Sequence, residues 1–127
     1  MGMKLVWVCL GGAIGSGARF LVTTWSVGRY GAAFPYGTLA VNVAGSFLLA
    51  LLFQLSQRAS FLGPTVQVAL GAGFLGGFTT YSSFNLELVQ YVQNGQSRLA
   101  ALYGAATLVG CLGAGFVGMH LGRLPAR

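Results

Sequence analysis

Residues 76–85 read GGFTTYSSFN, and they crowd hydroxyls, aromatic rings and an amide into one short stretch. Two further sets recur at helical spacing: Thr38, Asn42 and Ser46, then Tyr103, Thr107 and Cys111. Residues four apart share one face of a helix. Nearly every group in these sets can donate a hydrogen bond, and Arg19 adds a cationic donor. Aromatic ring edges carry the positive side of the ring quadrupole and extend the same character. The chain has a single carboxylate, Glu87. A donor-rich, acceptor-poor lane suits a small anion that must lose its water and still leave. A cation route has too few carboxylates to be built from it.

The elements that hold these groups follow from composition. The chain has 127 residues, 55% of them hydrophobic and 6% charged. A soluble domain carries about 25% charged residues, and a disordered one needs low hydrophobicity. An integral membrane protein is the class that remains. Four continuous apolar stretches predict transmembrane helices at about 4–26, 34–56, 66–93 and 98–122, within one transmembrane domain over 1–127. The connectors VGRYGAA, QRASFLGP and QNGQSR are short. Continuous runs, rather than alternating segments of about ten residues, exclude a membrane barrel. The first apolar stretch runs on through Phe20, Leu21 and Val22, which suits a retained helix better than a cleaved leader. Gly76 and Gly77, followed by Thr79 and Thr80, are expected to unwind the third helix near 76–80. A broken membrane helix is tolerated where its freed backbone is buried in protein or lines a water-filled path.

Each polar signal also has a plain reading. Serine and threonine in membrane helices bond their own i−4 carbonyl, and an intramembrane asparagine often glues two helices. Their concentration is what suggests a lane. The net charge of +6 is scattered singly at segment ends, as snorkelling and orientation signals are, so no nucleic-acid partner is expected. Four crossings put both termini on one side with Lys4, Arg58, Arg123 and Arg127, against Arg29 and Arg98 on the other. So small a bias fits insertion with both termini cytoplasmic, or insertion in both orientations. Small-residue stripes at Gly110, Ala114, Gly118 and Gly122, and at Gly11 and Gly15, allow close helix approach. At least one of them is expected to serve a homodimer in the lipid bilayer. Cys9 and Cys111 both fall in apolar spans and read as packing residues.

Three segments together carry a family resemblance: GGAIGSGARF at 11–20, VNVAGSF at 41–47 and GGFTTYSSFN at 76–85. The chain resembles, along essentially its whole length, the Fluc (CrcB-type) fluoride channels, whose signature is usually written GGFTTFSTF. The resemblance implies an all-α integral membrane protein of the cell inner (plasma) membrane, working as an antiparallel, dual-topology homodimer with two fluoride pores. It implies a pore donor at Asn42, ring-edge ligands at Tyr81 and Phe84, and a hydroxyl track at Ser82, Ser83 and Thr107, with Tyr103 on the same stripe and Thr38 and Ser46 as further members. It implies Arg19 near a vestibule and a structural sodium ion on the dimer axis, held by the carbonyls of Gly76 and Thr79. Tyr81 stands where the family pattern has phenylalanine, and Cys111 where a hydroxyl would extend the track.

Two other readings compete. A small multidrug-type proton-coupled exporter needs an intramembrane carboxylate to exchange protons; the first helix has none. A structural membrane subunit leaves Asn42 and residues 76–85 unexplained. Gly71-x-Gly73-x-x-Gly76 matches a dinucleotide fingerprint but follows no strand, and His120 has no metal-ligand partner at suitable spacing. No enzyme is expected.

Overall fold

A computed structural model describes residues 1–58 and 62–124. Arg127, counted in the charge balance, and residues 59–61 of the second connector lie outside the described residues. The helices are α1 (Gly2–Tyr30), α2 (Tyr36–Ser56), α3 (Pro64–Val68), α4 (Gly76–Phe78), α5 (Tyr81–Gln93) and α6 (Ser97–Arg123). A π-helical segment, Ala69–Leu75, joins α3 to α4, so residues 64–78 form one continuous rod. The rod and α5 together make a broken third span beside α1, α2 and α6. Each of those three is long and apolar enough to cross a membrane.

Local chemistry sets the ends. Gly31 follows α1 at φ 80°, and Gly95 turns α5 into α6 at φ 72°; both values are open to glycine and strained for other residues. Pro64 starts α3 at its first position, where the missing N–H has no helical partner to lose. Arg58, just past α2, donates to the carbonyls of Gly122, Arg123 and Leu124 and so covers the exposed carbonyl end of α6.

The surface is the apolar part. Phe20, Leu21, Trp25, Val109 and Phe116 are all exposed, whereas Ser26, Thr38, Asn42, Thr80 and Thr107 are buried. That inversion is what a lipid-facing bundle requires, and the chain is a multi-pass membrane protein.

Packing corrects the expected use of the glycine stripes. On α1, a Cβ on Gly11 would stand 2.5 Å from the Ala69 carbonyl oxygen, and one on Gly15 would collide with the Phe74 carbonyl. Gly73 and Gly77 return the contact against Val8 and Gly12, so α1 runs parallel to the rod with backbones touching. On α6, Gly110 meets Val43, Gly118 meets the Phe47 backbone and Gly122 meets Gln54, so α6 runs parallel to α2. Gly11, Gly15, Gly110, Gly118 and Gly122 are thus occupied inside the chain. Close packing is the main attraction between helices in lipid, and these contacts already use it.

Candidate functional site

The break falls within the expected 76–80, at its C-terminal end. Gly76 is helical at φ −63°, ψ −37°, and Gly77 and Phe78 continue α4. The extended residues are Thr79 (φ −85°, ψ 157°) and Thr80 (φ −152°, ψ 112°). Both are β-branched and favour extended backbone. Gly77 stays helical because it must lie against α1, where a Cβ would be 2.6 Å from the Gly12 carbonyl oxygen.

Two extended residues at bilayer depth leave backbone groups without helical partners, and each unmet group there costs several kcal/mol. Asn42 meets the need. Its Nδ2 donates to the Thr80 carbonyl at 3.0 Å, and its Oδ1 accepts the Thr80 N–H at 2.8 Å. One amide thus pairs with one peptide as a neighbouring strand would. Thr80 also caps α5: its Oγ1 accepts the Ser83 N–H at 3.2 Å and lies 3.0 Å from Ser83 Oγ and 3.3 Å from Ser82 Oγ. On the other side of the break, Thr79 Oγ1 donates back to the Leu75 carbonyl at 2.9 Å. Arg19 Nε donates to the Gly77 carbonyl at 3.0 Å, a cation at the carbonyl end of the rod.

Beside the break lies a cavity of about 470 Å³ whose wall includes Asn42, Ser46, Thr80, Tyr81, Phe84, Thr107 and Cys111. Ser46 Oγ donates to the Asn42 carbonyl at 2.7 Å, the plain i−4 bond. Asn42 retains one amide hydrogen beyond the one given to Thr80. The rings of Tyr81 and Phe84 meet nearly edge-on at 5.8 Å, and Phe84 meets Tyr103 the same way at 5.1 Å. Tyr81 is 77% exposed on this chain, so its ring forms the outer wall. Thr107 is buried, yet its Oγ1 has no hydrogen-bond partner among the described residues.

A second cavity, also about 470 Å³, opens at the end of the bundle where α1 passes into α2 and α5 into α6. Its wall includes Thr38, Glu87, Gln90, Tyr91, Asn94 and Gln96. In that wall the Glu87 carboxylate is held by two hydroxyls. Thr38 Oγ1 donates to Oε1 at 2.8 Å, and Tyr103 Oη donates to Oε2 at 2.7 Å. Tyr103 is wholly buried. Each of these residues sits one turn from a wall residue of the first cavity: Thr38 from Asn42, Glu87 from Phe84, Tyr103 from Thr107.

The structure brings Asn42, Tyr81, Phe84 and Thr107 to one cavity, with Tyr103 just behind it. It does not bring Ser82 and Ser83 there: both stand at the start of α5 and bond to Thr80, because a helix entered from an extended break needs its first N–H groups capped. Arg19 likewise is tied to the rod and does not line the cavity. The Gly76 carbonyl loses its helical donor, since the Thr80 N–H turns to Asn42. What sequence spacing missed is the part played by Thr80 and the bridging position of Glu87. Thr80 had a readable signal, a threonine three residues before Ser83 at a helix start; Glu87 had only its solitude as the one acid.

Comparison with known proteins adds an independent line. Residues 6–119 match the model of the family described as CrcB-like protein, Camphor Resistance (CrcB). A protein of Anaeromyxobacter sp. (strain K) named fluoride-specific ion channel FluC is 50% identical over 120 residues, covering 94% of this chain and 95% of that one. Proteins of the same name from Sorangium cellulosum and Agrobacterium fabrum are 47% and 46% identical, covering 92% and 95% of this chain and 92% and 97% of their own lengths. With the three glycine- and hydroxyl-rich motifs, the broken third span and a family match over nearly its whole length, the chain belongs to the CrcB-like family.

Proposed function

We propose that this protein is a fluoride-selective channel that lets the ion leave the cell passively through the plasma membrane. The observation that carries the reading is the first cavity: a buried threonine hydroxyl with no partner among the described residues, a spare asparagine hydrogen and aromatic edges, with no carboxylate among the described wall residues. Relatives named as fluoride-specific channels, at up to half identity, support the choice of ion. Ion passage makes and breaks no covalent bond, and the chain is not an enzyme.

In the finer reading, Asn42, Thr107 and the edges of Tyr81 and Phe84 replace the ion's water, while Ser82, Ser83 and Arg19 act indirectly by holding the break. The working unit is an antiparallel homodimer with two pores, each protomer inserted in the opposite sense. The high exposure of Tyr81 supports this, because a pore wall left open on one chain calls for a second surface to close it. The small excess of cationic side chains at one end, Lys4, Arg58, Arg123 and Arg127 against Arg29 and Arg98, supports it as well.

The same reading places a structural sodium ion at the helix break. The donor set suits it: the Gly76 and Thr79 carbonyls are uncharged hard oxygens, and the Gly76 carbonyl has been released from its helical bond by Asn42. Among the described residues, no group of three His, Cys, Asp or Glu competes for a transition metal. A bound sodium would neutralise carbonyl charge and fix the break; the chain's own part is to present those oxygens.

Protein reconstituted in liposomes is expected to release trapped fluoride and retain chloride; equal release of both ends the proposal. Thr107→Val keeps the shape and removes a hydroxyl that has no partner among the described residues. Its thermal stability should stay within about 1 kcal/mol of the parent, since no hydrogen bond is lost, while fluoride release falls by about tenfold. A loss of stability with unchanged flux would make Thr107 structural. Phe84→Ile keeps bulk but removes the ring edge, and a reduction of about tenfold in fluoride flux is expected, the upper range for an aromatic contact. Full activity in that variant would count against edge coordination.

A further inference from the structure

The chain has two cysteines, and their surroundings differ. Cys9 is exposed on α1, on the face it shares with the exposed Leu5. Cys111 is half-buried on α6 and belongs to the wall of the first cavity, where it is the one sulfur among the described wall residues. It has a second polar group beside it. Thr107, one turn earlier, lies in the same wall and on the same face of α6. Thr107 is 9% exposed, and its Oγ1 has no hydrogen-bond partner among the described residues. A polar group left so at bilayer depth is costly unless a guest takes it up. Ser46, in the same wall, has already given its proton to the Asn42 carbonyl. A thiol and an open hydroxyl one turn apart, beside about 470 Å³ of space, suit a guest that binds sulfur strongly and carries an acceptor for the hydroxyl.

Resting on the channel reading above, we infer that Cys111 is a modification site in the ion's lane, taken by soft, thiophilic metal ions, and that its occupation closes the lane. Thiolate is the soft ligand among protein side chains, and a metal that binds a thiol displaces its proton. With mercuric chloride the step balances simply. The thiol gives up its proton, a sulfur–mercury bond forms, one chloride leaves, and no atom is oxidised or reduced. The mercury keeps its other chloride, and Thr107 Oγ1 can donate to it. A neutral complex reaches such a site where a bare dication would meet the full cost of desolvation.

The closure has a chemical cause as well as a steric one. The lane works through weak, neutral donors that release the ion as readily as they take it, and conduction needs that balance. Bound mercury is a Lewis acid, and it holds an anion where those donors let go. A serine at position 111 would present a hard oxygen, which a soft metal passes by. The thiol therefore exposes this chain to a class of reagent that a lane of hydroxyls ignores.

The test follows fluoride release from liposomes holding the parent, Cys111→Ser or Cys9→Ser, each compared with its own rate before mercuric chloride is added. The parent and Cys9→Ser are expected to slow by at least about tenfold, as a lane with a trapped anion does, and to recover when excess mercaptoethanol strips the metal. Cys111→Ser is expected to keep its own rate. A parent that keeps its rate, a Cys9→Ser variant that resists, or a Cys111→Ser variant blocked as fully as the parent overturns the inference and leaves the channel reading standing. Mass spectrometry of Cys9→Ser, which has a single thiol left, carries the test should serine at position 111 prevent folding. One mercury per chain must accompany the block, and a block with no mercury bound overturns the site. A parent that releases no fluoride before any reagent, or releases chloride as fast, overturns the channel reading and the inference together.

Discussion

Asn42→Asp is expected to lower fluoride release by at least about a hundredfold, because it leaves a buried charge unpaired at a cost of roughly 3–5 kcal/mol. Two faults coincide in that variant. The Thr80 carbonyl, which now receives the amide at 3.0 Å, would face a carboxylate oxygen, and the helix break would lose half of its pairing. A negative charge would also enter the wall of a cavity otherwise lined by donors and rings. Asn42→Ala separates the two. It removes the pairing without adding charge, and should cost about 1–3 kcal/mol for each Thr80 group left unmet. The Asp variant should therefore conduct less than the Ala variant even where both fold, which liposome efflux and thermal melting together report. Fluoride release from Asn42→Asp within tenfold of the parent would show that Asn42 is not a donor to the ion.

Gly15→Ala is expected to have the largest effect on folding. The added Cβ points at the Phe74 carbonyl oxygen, a backbone atom that cannot turn aside, and the Phe78 backbone nitrogen stands 3.0 Å away. The helices must part, and the parting is felt along the whole contact from Val8 to Arg19. Overpacking of this kind costs about 1–3 kcal/mol, and more where backbone must move. Arg19 would be drawn from the Gly77 carbonyl, so the break and the cavity should loosen with it. Loss of about 3 kcal/mol, seen as reduced folded yield in detergent and a lower melting temperature, is the expected result. Gly17→Ala is the control, since a Cβ there meets nothing within 4 Å. Equal stability of the two variants would mean that α1 does not lie on the rod as described.

Much of this architecture is legible in the chain itself, and the reasons differ by feature. The four spans follow from continuous apolar runs, and the break follows from hydroxyls and glycines at bilayer depth. Which residues of 76–80 unwind does not, because Gly76 and Gly77 signal flexibility and close packing equally; contact with Gly12 and Ser16 settles Gly77 as a packing residue. Asn42 stands out as the amide on a face it shares with Thr38 and Ser46, but its partner is a peptide group 38 residues away, and no spacing reveals that. The glycine stripes show that some backbone comes close without showing whose. Ser82 and Ser83 look like lane residues by type, yet the chemistry of a helix start claims them first. Glu87 is the clearest case: its meaning lies in two hydroxyls, 49 residues before it and 16 after, which only the fold assembles.

The most direct measurement is the reversal potential of the reconstituted protein in a planar bilayer, with a tenfold fluoride gradient and equal chloride on both sides. A wall of neutral donors that admits fluoride alone predicts a reversal potential close to about 59 mV in magnitude, the value for one charge per tenfold ratio, with the sign set by fluoride. A reversal potential near zero would show that chloride carries the current, and would contradict the account.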